Sequence, residues 1–144
     1  QSRKRIITPE YDNFGFASFV YDNKGVLYEI LGEGTHFGEW WGKGIQRGYD
    51  LLDRSFSLFN AERHEGLDEP IGGSWLSVVP VLYQGIFSEV YINHCLYELD
   101  LFGSVASPNY MNPEGICIFH TQSRIVQKVT LDDNDKAKWE SNCE

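Results

Sequence analysis

Hydrophobic positions at the start of the chain form two runs of strand-forming residues, and the first run is apolar on both of its faces. Residues 14–21 and 26–31 are rich in aromatic and branched side chains, and residues 22–25 between them read Asp-Asn-Lys-Gly. A polar turn that ends in glycine between two strand-like runs is typical of a β-hairpin. The pattern therefore predicts an antiparallel strand pair at the start of the fold.

The next stretch has a different period. Large apolar residues recur there at steps of three and four positions, namely Trp41, Ile45, Tyr49, Leu52, Phe56 and Phe59. This spacing places them on one face of a helix, so the sequence predicts a helix over residues 43–62. Glycines at 42, 44 and 48 each weaken the first turns by about 1 kcal/mol relative to alanine. A loop that becomes helical only near Tyr49 is the alternative.

The rest of the chain again has the pattern of strands joined by tight turns. Pro80 cannot donate a hydrogen bond to a β-ladder, so the strand that contains it is predicted at a sheet edge or a bulge. The final residues, 132–144, are charged and predict at most a short helical turn around Ala137 and Trp139. Four segments qualify as strands: residues 75–83, 86–97, 116–121 and 124–131.

This order of elements predicts an α+β fold. Hairpins pair their strands antiparallel, so we expect a curved, mostly antiparallel sheet built of hairpins and packed on one long helix. A small closed β-barrel with a helix is the alternative. A chain of 144 residues fits a single domain over residues 1–144, with residues 1–8 and 132–144 flexible or peripheral.

Composition narrows the range of partners. Aromatic residues make up 15% of the chain, more than one interior needs, and the formal net charge is −9. An acidic chain suits a basic protein partner and does not suit duplex nucleic acid, which requires a basic patch. No apolar run approaches the roughly 20 residues of a membrane-spanning helix, so no membrane contact is expected.

The three cysteines match no zinc or redox spacing. A Cys95–Cys117 bridge is an option for an exported protein, whereas unpaired thiols favour a cytoplasmic one. His36 with Glu39, and His64 with Glu65, provide too few converging ligands for a metal ion. The sequence therefore predicts neither a metal site nor a cofactor.

His94 and His120 are the candidate catalytic residues, because both fall within predicted strands beside apolar positions. Apolar surroundings favour a neutral imidazole, which suits a general base when a carboxylate such as Glu98 orients it. No nucleophile elbow and no phosphate loop is present in the sequence.

The adjacent Trp40 and Trp41 are the candidate binding residues. Only one of them can face the core of a regular element, so the other is expected to contact solvent or a partner. We predict a partner- or ligand-binding cluster of Trp40, Trp41, Phe37, His36, Glu39 and Tyr49.

Two functions fit these features. The first is a non-catalytic acidic protein that docks on a basic protein partner, as an inhibitor, an immunity-like protein or an assembly subunit does. The alternative is a small-molecule-binding protein or proton-transfer enzyme with an aromatic-lined pocket between helix and sheet. In the alternative, His94, His120 and Glu98 are the catalytic groups. The sequence leaves open whether the protein is an enzyme.

Overall fold

A computed structural model describes residues 5–131, which form two compact units. The first unit ends at Pro80 and the second begins at Val81. The first contains α1 (Phe16–Asp22), α2 (Lys24–Leu31), β1 (Gly38–Gly42), a 3-10 turn (Gly48–Asp50), β2 (Arg54–Leu58), β3 (Asp68–Ile71) and β4 (Ser74–Val78). The second contains α3 (Glu89–Phe102), β5 (Gly115–His120) and β6 (Ile125–Thr130).

The first unit is a four-stranded mixed sheet with both helices on one face. Its strand order is β1-β2-β4-β3, with β2 and β4 parallel and the other pairs antiparallel. Leu58 and Leu76, from the two central strands, are the most deeply buried side chains. The core that joins helices to sheet consists of Phe19, Leu27, Leu31, Phe56, Leu58, Ile71 and Leu76.

The hairpin predicted over residues 14–31 is wrong, because this segment forms α1 and α2. Phe19 is the buried residue of α1, and Leu27 and Leu31, four residues apart, share the buried face of α2; all three pack in the core against the sheet. Asp12 stabilises the start of α1 by accepting hydrogen bonds from the backbone N–H groups of Ala17 and Ser18. The predicted turn marks the break between the two helices at Asn23.

The long helix predicted over residues 43–62 is also wrong. This segment contains the 3-10 turn and β2, in which residues 55–58 alternate polar and apolar side chains with the period of a strand. The backbone φ angle is positive at Gly44, Gln46, Gly48, Tyr49 and Asp50. An α-helix requires negative φ, so five such residues within one stretch are incompatible with it.

In the second unit the predicted hairpin over residues 116–131 is confirmed. Strands β5 and β6 pair antiparallel from Gly115↔Thr130 to His120↔Ile125. The strand predicted over residues 86–97 is wrong, because this segment begins α3. Ile92, Cys95 and Leu99 are the buried residues of that helix, at steps of three and four.

The α+β class is confirmed, and the sheets of the described residues do not close into a barrel. Two short helices cover the larger sheet in place of one long helix. Cys95 is buried and Cys117 is exposed, and no disulfide bridge joins the two. Residues 1–4 and 132–144 of the two predicted peripheral ends lie outside the described residues, and the single domain stays a prediction. Within residues 5–131, no helix has the length and apolar character required to cross a bilayer.

Candidate functional site

Aromatic, serine and carboxylate side chains line the side of the four-stranded sheet opposite α1 and α2. Successive side chains of a strand point to opposite faces, and the alternate positions of these strands form the helix-covered core. Phe59 donates its backbone N–H to the carbonyl oxygen of Phe37 at 2.9 Å, which extends the β1–β2 ladder by one pair. We call this surface the aromatic face; it comprises Phe37, Glu39, Trp41, Ser55, Ser57, Phe59, Asp68, Pro70, Trp75 and Ser77.

Three serines connect the central strands of the aromatic face. The Ser77 hydroxyl lies 3.1 Å from that of Ser55 and 2.8 Å from that of Ser57. The indole N–H of Trp41 donates to Ser57 Oγ at 2.7 Å. Ser55 and Ser57 are buried, so each hydroxyl requires the partner it has here. This small polar network holds Trp41 in one orientation on the sheet.

Exposed rings surround the serines. Trp41, Ser55 and Trp75 form one row across three neighbouring strands. The backbones of the two tryptophans are therefore separated by two strand spacings, roughly 10 Å. Phe37 is 69% exposed, Phe59 52% and Trp75 39%. Exposed rings concentrated on one sheet face are typical of surfaces that bind another molecule.

Carboxylates stand at both edges of the aromatic face. The register places Glu39, Ser57, Ser77 and Asp68 in one row across the four strands. Glu39 and Asp68 belong to the edge strands β1 and β3 and are exposed. Because none of the residues that define this face is basic, its local charge is negative.

The structure brings together four of the predicted binding residues. Phe37, Glu39 and Trp41 lie on the aromatic face, and the Tyr49 ring meets the Trp41 ring edge-on at 5.3 Å. Trp40 lies on the opposite face of β1, as expected for the neighbour of Trp41 in a strand. The cluster is therefore centred on Trp41, with Trp40 excluded from it.

Trp40 packs against the helices. Its ring centroid lies 5.5 Å from that of Phe16 and 5.0 Å from that of Phe19, and its indole N–H donates to the Phe14 carbonyl oxygen at 2.9 Å. These contacts attach α1 to the sheet. Trp40 therefore supports the fold on the side away from the exposed rings.

His36 lies beside His64 at the C-terminal end of α2. The two ring centroids are 5.7 Å apart, and His36 Nε2 is 3.1 Å from the carbonyl oxygen of Gly32. The Arg63 guanidinium donates to the Leu31 carbonyl oxygen at 3.0 Å. Burial lowers the pKa of His64, and the charges of Arg63 and His36 lower it further. Among residues 5–131, no three His, Cys, Asp or Glu side chains are placed to hold a metal ion.

The predicted catalytic residues have ordinary surface partners. His94 Nε2 lies 3.4 Å from Glu98 Oε1, one turn apart on α3, and these side chains are 61% and 53% exposed. His120 Nε2 lies 3.1 Å from Gln127 Oε1, and its ring centroid is 4.9 Å from that of Phe87. The apolar surroundings expected for His94 are not found, because a helix replaces the predicted strand and turns this residue to solvent.

A cleft of about 400 Å³ lies between α1 and the sheet of the first unit. The Arg54 guanidinium on its wall donates from Nε to the Lys43 carbonyl oxygen at 3.1 Å and from Nη1 to the Phe14 carbonyl oxygen at 2.6 Å. The residues that line the cleft are Gly15, Phe19, Asp22, Asn23, Trp40, Arg54, Gly72 and Ser74.

No protein-family model matches this chain, and neither the curated proteins nor the solved structures include a significant match. Two surfaces of the first unit, the aromatic face and the cleft between α1 and the sheet, carry the features that bear on function.

The sequence patterns did not identify Phe59, Trp75, the three serines or Arg54 as candidate binding residues. The strand pattern that places several of them was present in residues 55–58, where polar and apolar residues alternate. Phe56 also fits the three-to-four spacing, which favoured a helix. Once β2 is recognised as a strand, Ser55 and Ser57 fall on the face opposite Phe56, and Arg54 falls on the same face as Phe56.

Proposed function

We propose that this chain is a non-catalytic binding protein that docks on a basic protein partner through the aromatic face. One observation carries the proposal: exposed Phe37, Phe59 and Trp75 share a sheet face with the edge carboxylates of Glu39 and Asp68. Both helices of this unit pack on the other side of the sheet.

The chemistry of this face suits arginine and lysine side chains. An indole or phenyl ring attracts a cation to its face, and each buried ring contributes about 150–250 Å² of contact. Carboxylates at the rim and a net charge of −9 steer a basic partner towards the face. Tryptophan is enriched among the residues that dominate binding energy at interfaces. An inhibitor, an immunity-like protein or an assembly subunit requires such a rigid, partner-specific surface.

The test compares exposed rings on opposite sides of the sheet. Wild-type protein and two variants, Trp75→Ala and Tyr28→Ala, are used to capture a partner from the native source, and affinities are then measured with the purified partner. Tyr28 is a matched control because it is an exposed ring on α2, away from the aromatic face. We expect Trp75→Ala to weaken binding by about tenfold or more, and Tyr28→Ala to leave it unchanged.

Charge-reversal variants and added salt test the same proposal independently. Glu39→Lys combined with Asp68→Lys is expected to slow association with a basic partner, and added salt is expected to weaken wild-type binding. A partner that retains full affinity for Trp75→Ala and for the double lysine variant would refute docking through this face.

The cleft between α1 and the sheet favours a second candidate function, the binding of a small molecule. Its volume of about 400 Å³ lies within the roughly 300–1,000 Å³ of ordinary ligand sites. Trp40 and Phe19 supply its aromatic lining, as the predicted pocket required. No histidine lines it, so the cleft supports binding and not proton transfer by His94 or His120.

A further inference from the structure

Arg54 is a fixed cation on the wall of the cleft. Its side chain is half-buried, and its two hydrogen bonds go to uncharged carbonyl oxygens of Lys43 and Phe14. Among the described residues, no carboxylate forms an ion pair with it. A guanidinium has five N–H donors, so three remain to receive an acceptor, and its planar fork matches a carboxylate.

The backbone at Phe14 and Gly15 holds this wall in place. Both residues have positive φ, 50° and 76°, and the Phe14 carbonyl oxygen accepts hydrogen bonds from Arg54 and from the Trp40 indole. A Cβ on Gly15 would lie 2.8 Å from Arg54 Nη1. A left-handed conformation is rare for phenylalanine, and such conformations cluster at functional sites. Here the conformation positions a cation beside an indole.

The same cleft also contains groups of the opposite character. Asp22, Asn23 and Ser74 line it, and no ion pair joins Asp22 to Arg54 among the described residues. The Asn23 amide N–H donates to the Phe19 carbonyl oxygen at 2.7 Å, which leaves its side-chain oxygen as an acceptor. One cavity therefore presents a cationic donor, an anionic acceptor and two aromatic rings.

We propose that the cleft binds a small zwitterion, a free α-amino acid with an apolar side chain. This inference rests on the second candidate function. The ligand carboxylate accepts hydrogen bonds from Arg54, its ammonium group donates to Asp22, and its side chain packs on Trp40 and Phe19. Each charge of the ligand then meets an opposite charge, and the half-buried position of Arg54 strengthens its contact with the carboxylate.

Binding is measured by calorimetry with three probes: L-phenylalanine, its N-acetyl derivative and its amide. The N-acetyl derivative lacks the ammonium charge, and the amide lacks the carboxylate. We expect saturable binding of L-phenylalanine and affinities about tenfold weaker for each derivative, because each loses one charge-assisted contact.

Two variants assign the contacts. Arg54→Gln is expected to make L-phenylalanine and its amide bind equally weakly, and Asp22→Asn to remove the preference over the N-acetyl derivative. Asp53→Asn is the control, since Asp53 is a neighbouring carboxylate outside the lining. Because Arg54 also has structural hydrogen bonds, circular dichroism accompanies that variant, and exposed Asp22 tests the proposal without altering the core.

The outcomes distinguish a failure of the zwitterion proposal from a failure of the small-molecule function. Equal affinity for L-phenylalanine and its N-acetyl derivative, or for L-phenylalanine and its amide, would overturn the zwitterion while the small-molecule function stands. No saturable binding of any probe would overturn the zwitterion proposal and remove the support that it gives to the small-molecule function.

Discussion

Asp12 illustrates how one residue organises the start of a helix. Its carboxylate accepts hydrogen bonds from the backbone N–H groups of Asn13, Ala17 and Ser18 and from the Ser18 hydroxyl, at 2.6–2.9 Å. Burial by itself would raise the pKa of Asp12, but the hydrogen bonds from Ser18, Ala17 and Asn13 lower it to about 2. The ionised form therefore stabilises the folded state.

Replacing Asp12 with alanine is expected to reduce the free energy of unfolding by about 1–2 kcal/mol at neutral pH, because several N–H groups lose their acceptor. The folded pKa is below the ordinary value of 3.8. The ionised Asp12 side chain therefore makes its full contribution to the free energy of unfolding above pH 3.8, and this contribution is lost as the pH falls towards about 2. Urea denaturation at pH 7 and at pH 3 measures both effects. Equal pH dependence in wild type and variant would contradict this account, and Glu29→Ala on α2 is the control.

The tryptophans of the first unit are expected to differ in their effect on stability. Trp40→Ala removes a ring packed on Phe16 and Phe19 and should cost about 2–4 kcal/mol in unfolding free energy. Trp75→Ala removes a ring that is 39% exposed and should cost about 1 kcal/mol or less. Chemical denaturation of both variants tests this ranking. A Trp40 variant as stable as wild type would contradict its assignment to the core.

At the scale of elements, the end of α2 is sensitive to pH. His36 and Arg63 contact the last carbonyl groups of the helix, and His64 packs against the His36 ring. Burial lowers the pKa of His64 in the folded state, and the charges of Arg63 and His36 lower it further. The unfolded chain therefore binds a proton more readily than the folded chain at mildly acid pH. The contribution of neutral His64 to the free energy of unfolding should be fully present above about pH 6.5, and it should decrease as the pH falls below that value.

Thermal unfolding between pH 7.5 and pH 5 checks this expectation for wild type and for His36→Gln. The variant lacks one of the charges that oppose protonation of His64, so its stability should decrease less over the same interval. Stability that rises on acidification in this interval would refute the account. Tyr28→Ala on the same helix serves as the control for a general loss of helix stability.

Elements also show where sequence reasoning succeeded. The β5–β6 hairpin was predicted because Ile125 to Thr130 contains several branched residues beside a short polar turn, and its partner strand is equally rich in them. The pattern of the first segment does not distinguish helices from strands. Phe16 and Phe19, and likewise Leu27 and Leu31, have helical spacing, but many residues between them are also apolar or aromatic. Over eight residues, such a run fits the period of a strand as well as that of a helix.

At the scale of the whole molecule, the division near Pro80 makes a prediction of its own. The core from Phe19 to Leu76 belongs to the first unit, whereas the buried core residues in the described part of the second, residues 81–131, are Ile92, Cys95 and Leu99. A fragment of residues 1–80 is expected to retain its secondary structure and a cooperative unfolding transition. A fragment of residues 81–144 is expected to unfold at much lower denaturant, because its described part, residues 81–131, buries few apolar side chains.

Circular dichroism and urea denaturation of the two fragments test this expectation. They also test the single domain predicted from chain length. If residues 1–80 unfold without cooperativity when alone, then the first unit depends on the rest of the chain, and the one-domain prediction gains support.

The sequence by itself determined the acidic charge, the abundance of rings and the hairpin of the second unit, because these depend on composition and on contacts between neighbouring segments. The predicted α+β class is correct, although the helices lie in other segments than the predicted one. Only the tertiary structure decided which tryptophan faces the core and that Phe37, Trp41, Phe59 and Trp75 share one surface. The reason is that β2 pairs with β4 in parallel and with β1 on its other side. That pairing joins residues distant in the chain, and no local period encodes it.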